Sequence, residues 1–369
     1  MTVPIPPSPS NRPGVSTAGA AMTVPTASNR PAGSPATQSI RWPDPDELAA
    51  RAHVVTLPLR VRFRGVAERE VLLLDGPAGW AEFSPFLEYD DAEASAWLRC
   101  AVEAGWDGFP APIRSSVPVN ATVPAVSAVD VERVLASFDA AHTVKIKVAE
   151  RGQTLRDDVA RVAEVRRLLP DAALRIDANA GWTHDEALAA LEAIGPLGLQ
   201  YAEQPVAGIH GLRELREEVR RRGWDIPIAA DESVRKESDP LAVARADAAD
   251  LIVIKAPPLG GIRRALRIVA EAGLPAVVSS ALDSSVGTRA GAALAAALPE
   301  LPYACGLGTV SLFEADVCRN RYEARGGQLD LRPVAPDPDL LERHRAGPER
   351  RDWWLARLRR CGELLMKDA

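Results

Sequence analysis

Thr143-Val144-Lys145-Ile146-Lys147-Val148 alternates apolar and basic residues with a period of two, and Leu174-Arg175-Ile176-Asp177-Ala178-Asn179 repeats the design. That period belongs to a β-strand, whose successive side chains point to opposite faces. If Val144, Ile146 and Val148 face a layer of helices, Lys145 and Lys147 face the other way; Arg175, Asp177 and Asn179 do the same in the second stretch. Three further apolar runs end on charge: Gln200-Tyr201-Ala202-Glu203-Gln204-Pro205, Ile228-Ala229-Ala230-Asp231-Glu232-Ser233 and Leu251-Ile252-Val253-Ile254-Lys255. Lys147, Asp177, Glu203, Asp231 and Lys255 follow one another at intervals of about 24 to 30 residues, enough for one strand and the crossover helix that parallel strands require.

The intervals supply those helices. Thr154 to Leu169 and Thr183 to Ile194 place apolar residues at helical spacing, and Thr183 with Glu186 forms a Thr-x-x-Glu capping box. Leu212–Arg222, Pro240–Ala246, Ile262–Ala272 and Thr288–Leu298 continue the alternation, and Val277–Ser280 makes a seventh strand. The expected fold is an α/β protein, a (β/α)7β-type TIM barrel. All strand C-termini of such a barrel open on one face, where active sites sit. The charged positions therefore converge on one mouth.

The chain outside the barrel reads differently. Residues 1–38 are rich in Pro, Ser, Thr, Ala and Gly without apolar periodicity, the composition of a disordered tail. Met1-Thr2-Val3-Pro4 recurs as Met22-Thr23-Val24-Pro25, which makes Met22 a candidate start. Residues 39–122 carry strands at Val54–Phe63 and Glu70–Leu74, a Gly-Pro turn at Gly76 and a helix from Asp91 to Ala104, the pattern of an α+β capping domain. Residues 123–330 hold the barrel, and 331–369, with Trp353 and Trp354, return to complete the cap.

Composition excludes several functions. A net charge of −6 with basic and acidic residues interspersed gives no electrostatic footprint for nucleic acid. Cys100, Cys305, Cys318 and Cys361 lie far apart without a Cys-x-x-Cys pair, against a zinc ribbon or a disulfide framework and in keeping with reduced, cytoplasmic thiols. No run of about 18 apolar residues exists, and no basic-then-apolar leader. Nothing directs the chain to a membrane. Oligomeric state has no signature here.

Each motif also has an ordinary reading. Lys-x-Lys suits a solvent-facing strand edge, Asp177 a turn, Glu203 a loop before Pro205, and Asp231-Glu232 a helix start. What separates them from those readings is their joint fall at successive strand ends. Inward lysines in an apolar setting need a chemical reason, and Lys255 after four apolar residues needs an anion, a metal-bound substrate or a lowered pKa. Asp177, Glu203 and Asp231 form an all-oxygen set without His or Cys, which points to Mg²⁺, with Mn²⁺ as a possible substitute. Ser279-Ser280, Ser284-Ser285-Val286-Gly287 and Gly306-Leu307-Gly308 offer hydroxyls and flexible backbone at the mouth. No histidine falls at the end of the sixth or seventh strand.

The ordered set Lys145-x-Lys147, Asp177-x-Asn179, Glu203-Gln204-Pro205, Asp231-Glu232-Ser233 and Lys255 resembles the enolase superfamily over residues 40–330, in the subgroup typified by muconate lactonising enzymes. Superfamily sites pair a Lys or His base with Mg²⁺ and stabilise an ene-diolate. Arg175, Gly79-Trp80-Ala81-Glu82-Phe83-Ser84-Pro85-Phe86 and Ser279-Ser280 are similar to the o-succinylbenzoate synthase branch, dehydratases of menaquinone synthesis. That resemblance implies a small carboxylate substrate, 2-succinyl-6-hydroxy-2,4-cyclohexadiene-1-carboxylate, with Lys147 as base and then acid. Lys145 would lower the pKa of Lys147 by like charge, and Lys255 would face the delocalised intermediate. Backbone donors near Ser279 and Gly306 would hold the succinyl carboxylate, and Arg175 and Asn179 would orient a ligand or the substrate. Racemisation of N-succinylamino acids suits the same apparatus, followed by dipeptide epimerisation and muconate cycloisomerisation. A non-catalytic relative would be expected to have lost a ligand or a lysine, and this chain keeps all six. The Pro/Ser/Thr-rich tail has no counterpart in the family.

Overall fold

The computed structural model describes residues 42–63, 65–236 and 238–367. The expectations for the tail 1–38 and for Met22 lie outside the described residues. The described residues form one compact unit.

Three antiparallel strands, β1 (Ala52–Phe63), β2 (Val66–Gly76) and β3 (Gly79–Phe83), build the first sheet in the order β1-β2-β3. Val54 pairs with Leu72 and Leu72 with Phe83. Both faces of β2 are covered, which explains its unbroken Val71-Leu72-Leu73-Leu74 where a half-solvated strand would alternate. Leu72 and Leu74 pack with Trp97 and Leu98 of helix Asp91–Val102 and with Trp354, Leu358 and Leu365 of helix Pro348–Lys367. Val71 and Leu73 pack against Leu282, Val286 and Phe313 of the barrel. The C-terminal helix thus shares one apolar core with the first sheet and helix Asp91–Val102. Its Trp354 meets Phe83 edge-on at 6.0 Å and donates its indole N–H to Glu70 at 2.8 Å. Helix Asp91–Val102 stops short of the expected Ala104 and runs into a π-helical turn at Glu103–Asp107. The strand β3 carries no alternation strong enough to have announced it, and the sequence reading passed over it.

After β4 (Ser116–Pro118) the barrel strands run in parallel: β5 (Ala121–Val123), β6 (Thr143–Lys147), β7 (Ala173–Asp177), β8 (Leu199–Glu203), β9 (Ile228–Ala230), β10 (Leu251–Ile254) and β11 (Ala276–Val278). A helix follows each, among them Leu155–Leu168 and His184–Ile194, both opened by capping boxes (Thr154 with Asp157, Thr183 with Glu186). A last strand, β12 (Gln328–Asp330), pairs with β4. The ring closes through two residues. The Gly306 N–H donates to Val278 (2.8 Å) and the Ser280 N–H to Gly306 (3.0 Å), while the Cys305 N–H donates to Pro118 (2.7 Å) and the Asn120 N–H to Cys305 (2.9 Å). Cys305-Gly306 therefore bonds to both open edges and serves as the eighth strand of a (β/α)7β barrel. Gly306, expected as part of a flexible Gly306-Leu307-Gly308 backbone, is held in the ladder instead, and two residues leave no periodicity from which a strand could be detected.

Val144, Ile146, Leu174 and Ile176 are fully buried against the helices. Register then sets the inner face, with Lys145 beside Arg175, Lys147 beside Asp177 and Asp177 beside Glu203. Tyr201, Ala229, Leu251, Val253 and Val277 form a separate apolar cluster from inward positions of β8 to β11. All four cysteines are free and buried. Among the described residues no helix is long and apolar enough to cross a membrane.

Trp354 is fully buried where the C-terminal segment meets the cap sheet. Trp354→Ala should cost about 3–5 kcal/mol, read as a lowered denaturation midpoint; an unchanged midpoint would show that the helix does not complete the cap.

Candidate active site

The two lysines of β6 share one acceptor. Lys147 Nζ lies 2.6 Å and Lys145 Nζ 3.1 Å from Asp177 Oδ2, and each has a further partner: Asn179 Oδ1 at 2.7 Å for Lys147 and Glu203 Oε1 at 2.9 Å for Lys145. On the far side Lys255 Nζ pairs with Asp231 Oδ1. In a ring of eight, β6 and β10 stand opposite one another, and the carboxylate-bearing strands β7, β8 and β9 lie between them. Lys145 and Lys147 are each 7% exposed, Asp231 6%, and Asp177 and Glu203 are fully enclosed. These charges are held by each other rather than by water.

Two loop residues with positive φ aim the polar groups. Asn179 (φ 46°) turns its amide so that Nδ2 donates to Glu232 Oε1 at 3.0 Å, which leaves Oδ1 toward Lys147. Gln204 (φ 37°) accepts the N–H groups of Asp231 (2.9 Å) and Ser233 (3.1 Å) on its Oε1, tying the end of β8 to the end of β9. Asn and Gln at strand ends were visible in sequence, but Gln204 as the strap beneath Asp231 was not. It could be found only by knowing that β8 and β9 adjoin.

Burial pushes the Glu203 carboxyl up, and Asp177 adds to the rise more than Lys145 takes away, so that it reaches about 8. Burial also acts on Asp177, but Lys147 and Lys145 outweigh it and hold this carboxyl well below the usual range. For Asp231 the balance is again burial against Lys255 and Lys145, with the lysines prevailing. Lys145 itself is pulled down by burial and pushed further up by Glu203 and Asp177, which keeps it charged.

One cavity is lined by Lys145, Lys147, Asp177, Asn179, Asp231, Lys255, Ser279, Ser280 and Gly306, joined by Thr122, Phe86, Ala281, Leu282 and Thr309. Thr122, Leu282 and Thr309 had no motif to mark them. Glu203 lies outside the lining set. Arg175 does not reach the cavity either: its guanidinium donates to Gln200 Oε1 (2.7 Å) and the Ala304 carbonyl (2.6 Å) and lies 4.7 Å from the Tyr201 ring centroid. It braces the barrel interior. The N–H groups of Ser279, Ser280 and Gly306, expected to serve a carboxylate, are engaged in the barrel ladder. The polar groups left there are hydroxyls, Ser279 Oγ and the Ser280–Thr309 pair at 2.6 Å.

The donor set suits a hard divalent cation. Three carboxylates end three adjacent strands, and Glu203 Oε2 is buried without a hydrogen-bond partner. An oxygen-only set with one unused buried oxygen fits such an ion. Among the described residues no three acidic, imidazole or thiol groups yet converge on one metal-sized point, since the lysines supply the counter-charge instead.

Two domain families match the chain, Enolase N-terminal domain-like over residues 54–105 and Enolase C-terminal domain-like over residues 128–336. The o-succinylbenzoate synthase of Mycolicibacterium smegmatis is 53% identical over 321 residues, covering 87% of this chain and 98% of that protein. That of Mycobacterium leprae is 54% identical, covering 87% and 94%. Muconate lactonizing enzyme from Pseudomonas putida shares the fold at a TM-score of 0.67 and 20% identity, over 80% of this chain and 98% of its own. Two domains in superfamily order, and identity at more than half of the aligned positions with the two o-succinylbenzoate synthases, place the chain in the enolase superfamily, in its o-succinylbenzoate synthase family of lyases.

Proposed function

We propose that this protein dehydrates 2-succinyl-6-hydroxy-2,4-cyclohexadiene-1-carboxylate to o-succinylbenzoate, a step of menaquinone synthesis in the cytoplasm. The barrel of residues 123–330 houses the reaction, and the unit formed by 39–122 and 331–369 covers it. The observation that carries this reading is the placement of Lys147 and Lys255 on opposite strands of one cavity, with acidic strand ends between them. A Mg²⁺ ion held by Asp177, Glu203 and Asp231 would supply positive charge to the substrate carboxylate and make the neighbouring C–H more acidic.

The remaining chemistry belongs to lysines. Lys147 as the neutral amine takes the proton from the carbon bearing the carboxylate, and the electron pair of that C–H bond delocalises into the carboxylate. The pair then returns to form the ring double bond as the C–O bond to the hydroxyl breaks, and Lys147 gives its proton to the departing hydroxide. Water and an aromatic ring result. Two ammonium groups on one oxygen of Asp177 repel each other, which favours the neutral form of one of them. Lys145, kept charged by Glu203 and Asp177, is the one that stays protonated. Lys255 faces the electron-rich intermediate from the other side. The hydroxyls of Ser279, Ser280 and Thr309 receive the succinyl arm.

Two lysines facing each other across a cavity also suit removal and return of one α-proton on opposite faces, so racemisation of an N-succinylamino acid is the second reading. Ultraviolet loss of the cyclohexadiene with Mg²⁺, repeated with a chelator, separates them. Fast, chelator-sensitive loss is expected; its absence from folded, metal-loaded protein, with exchange of an N-succinylamino acid α-proton in D₂O, would favour the racemase.

Lys147→Ala should lower turnover by about 10²–10⁴-fold or more, the range for a general acid–base group, with circular dichroism and metal affinity unchanged. Retained turnover would remove Lys147 as the base. Asp231→Asn should weaken the Mg²⁺ dependence sharply, and unchanged metal affinity by titration calorimetry would take it out of the ligand set.

The Glu203 carboxyl gives a pH test. Its folded pKa is raised, so its contribution to stability is full below the unfolded value of 4.5 and lost as pH rises through about 8. A cation that replaces the proton should therefore raise Tm more at the upper end of that window than at the lower. Glu203→Gln should flatten this trend; a Mg²⁺-induced Tm gain independent of pH in the parent protein would contradict the assignment.

A further inference from the structure

Helices that follow barrel strands begin at the mouth, and their first turns carry N–H groups without intrahelical partners. In helix Ser285–Ala297 the cap residue Ser284 takes one of them, the Val286 N–H at 3.1 Å. Asp316 takes the Ser285 N–H at 3.3 Å, and two more are met by a carboxylate from the cap sheet. Glu82 of β3, 8% exposed, accepts on Oε2 the N–H groups of Ser284 (3.1 Å) and Gly287 (2.9 Å) and the Ser284 hydroxyl (2.5 Å). Its Oε1 accepts the Ser84 hydroxyl at 2.6 Å. Gly287 makes room for this approach, since a Cβ there would fall 2.7 Å from the same carboxylate oxygen. The next helix along the ring is met in the same way: Glu103 accepts the N–H of Arg263 at 3.1 Å and its guanidinium at 2.8 Å.

Arg69 of β2 completes the fastening. It donates to the carbonyls of Leu282 (3.2 Å) and Ser84, and its guanidinium lies 4.3 Å from the Phe86 ring centroid. Neither Glu82 nor Arg69 lines the cavity; Arg69 holds two residues that do, Leu282 on the barrel side and Phe86 on the cap side, and Glu82 holds their chain neighbours Ser284 and Ser84. Ser84, which takes hydrogen bonds from one and gives one to the other, stands two residues before Phe86.

We propose that Glu82 is a positioning residue for substrate recognition. By fixing the start of helix Ser285–Ala297 to the strand that leads into Phe86, it sets the separation of the two walls between which the substrate lies. The identity of the ligand rests on the dehydratase reading; the fastening does not.

The test compares Glu82→Ala, Glu82→Gln and Gly287→Ala with Glu70→Ala, which removes a buried-side carboxylate bonded to Arg350 and Trp354 inside the cap. Glu82→Ala should raise KM about tenfold or more while kcat changes little, the signature of lost binding rather than lost chemistry. Glu82→Gln should recover KM, because its amide can turn oxygen toward Ser284 and Gly287 and its NH₂ toward the Ser84 hydroxyl. Gly287→Ala, whose Cβ would crowd the Glu82 carboxylate and the Asp283 Cβ at 2.7 Å each, should reproduce the KM rise by displacing the carboxylate. Glu70→Ala should lower Tm without moving KM. Hydrogen exchange in residues 279–287 should quicken in Glu82→Ala and Gly287→Ala only. A KM at the parent value in either of those variants, or an equal rise in Glu70→Ala, would overturn the proposal. Should the parent protein show no turnover, the dehydratase reading falls, and unchanged exchange in both variants would then overturn the fastening on its own.

Discussion

Lys145 is buried against Glu203 and Asp177, and Asp177 stays ionised in the interior because two lysines face it. Taking one ion from water into a protein interior costs several kcal/mol, and mutual attraction offsets this only where geometry and hydrogen bonding are complete. That requirement reaches back to the strands. Lys147 meets Asp177, and Lys145 meets Glu203, only while β6, β7 and β8 keep the registers that set Lys147 beside Asp177 and Asp177 beside Glu203. A one-residue slip would turn these charges into the helix layer and Val144, Ile146, Leu174 and Ile176 into the mouth. The site and the apolar core between strands and helices are thus alternate residues of the same segments, and each fixes the other.

This coupling is why so much was legible in sequence. Alternation in 143–148 and 174–179 reports both faces at once, and the helix at Ile262–Ala272 was bounded correctly because its apolar spacing and flanking Gly261 and Gly273 leave little choice. Helix His184–Ile194 began where the Thr183 box said it would. What stayed hidden is what depends on partners far along the chain. Cys305-Gly306 becomes a barrel strand only because Val278 and Pro118 present open edges to it. Arg175 shares the inward face with Asp177, and alternation alone cannot say that it sits a layer away from the cavity, against Gln200, Ala304 and Tyr201.

The serine-rich segment teaches a related lesson about backbone donors. Ser279-Ser280 and Gly306 look like a loop rich in free N–H groups, yet their backbone closes the barrel, and a group that completes a ladder cannot also bind a ligand. The hydroxyls of Ser279, Ser280 and Thr309 are outside that ladder. Further along, Ser284 and Gly287 do have N–H groups beyond the ladder, and Glu82 takes them from the cap.

Asp177 Oδ2 serves two ammonium groups, and a cation that claimed this oxygen would have to displace both. The arrangement tolerates that. Lys147 keeps Asn179 Oδ1, whose direction is fixed because Asn179 Nδ2 is committed to Glu232, and Lys145 keeps Glu203 Oε1 while Oε2 of the same carboxylate is still without a partner. Neither lysine would be left as a buried charge without an acceptor, so the large penalty for breaking a buried pair does not arise. The same fallback separates the roles of the two lysines. Lys145 retains Glu203 Oε1, and Lys147 retains the amide oxygen of Asn179, a weaker partner for an ammonium than a carboxylate is. The proton exchange proposed above for Lys147 would be better served by such an amide oxygen, and Asn179 supplies it.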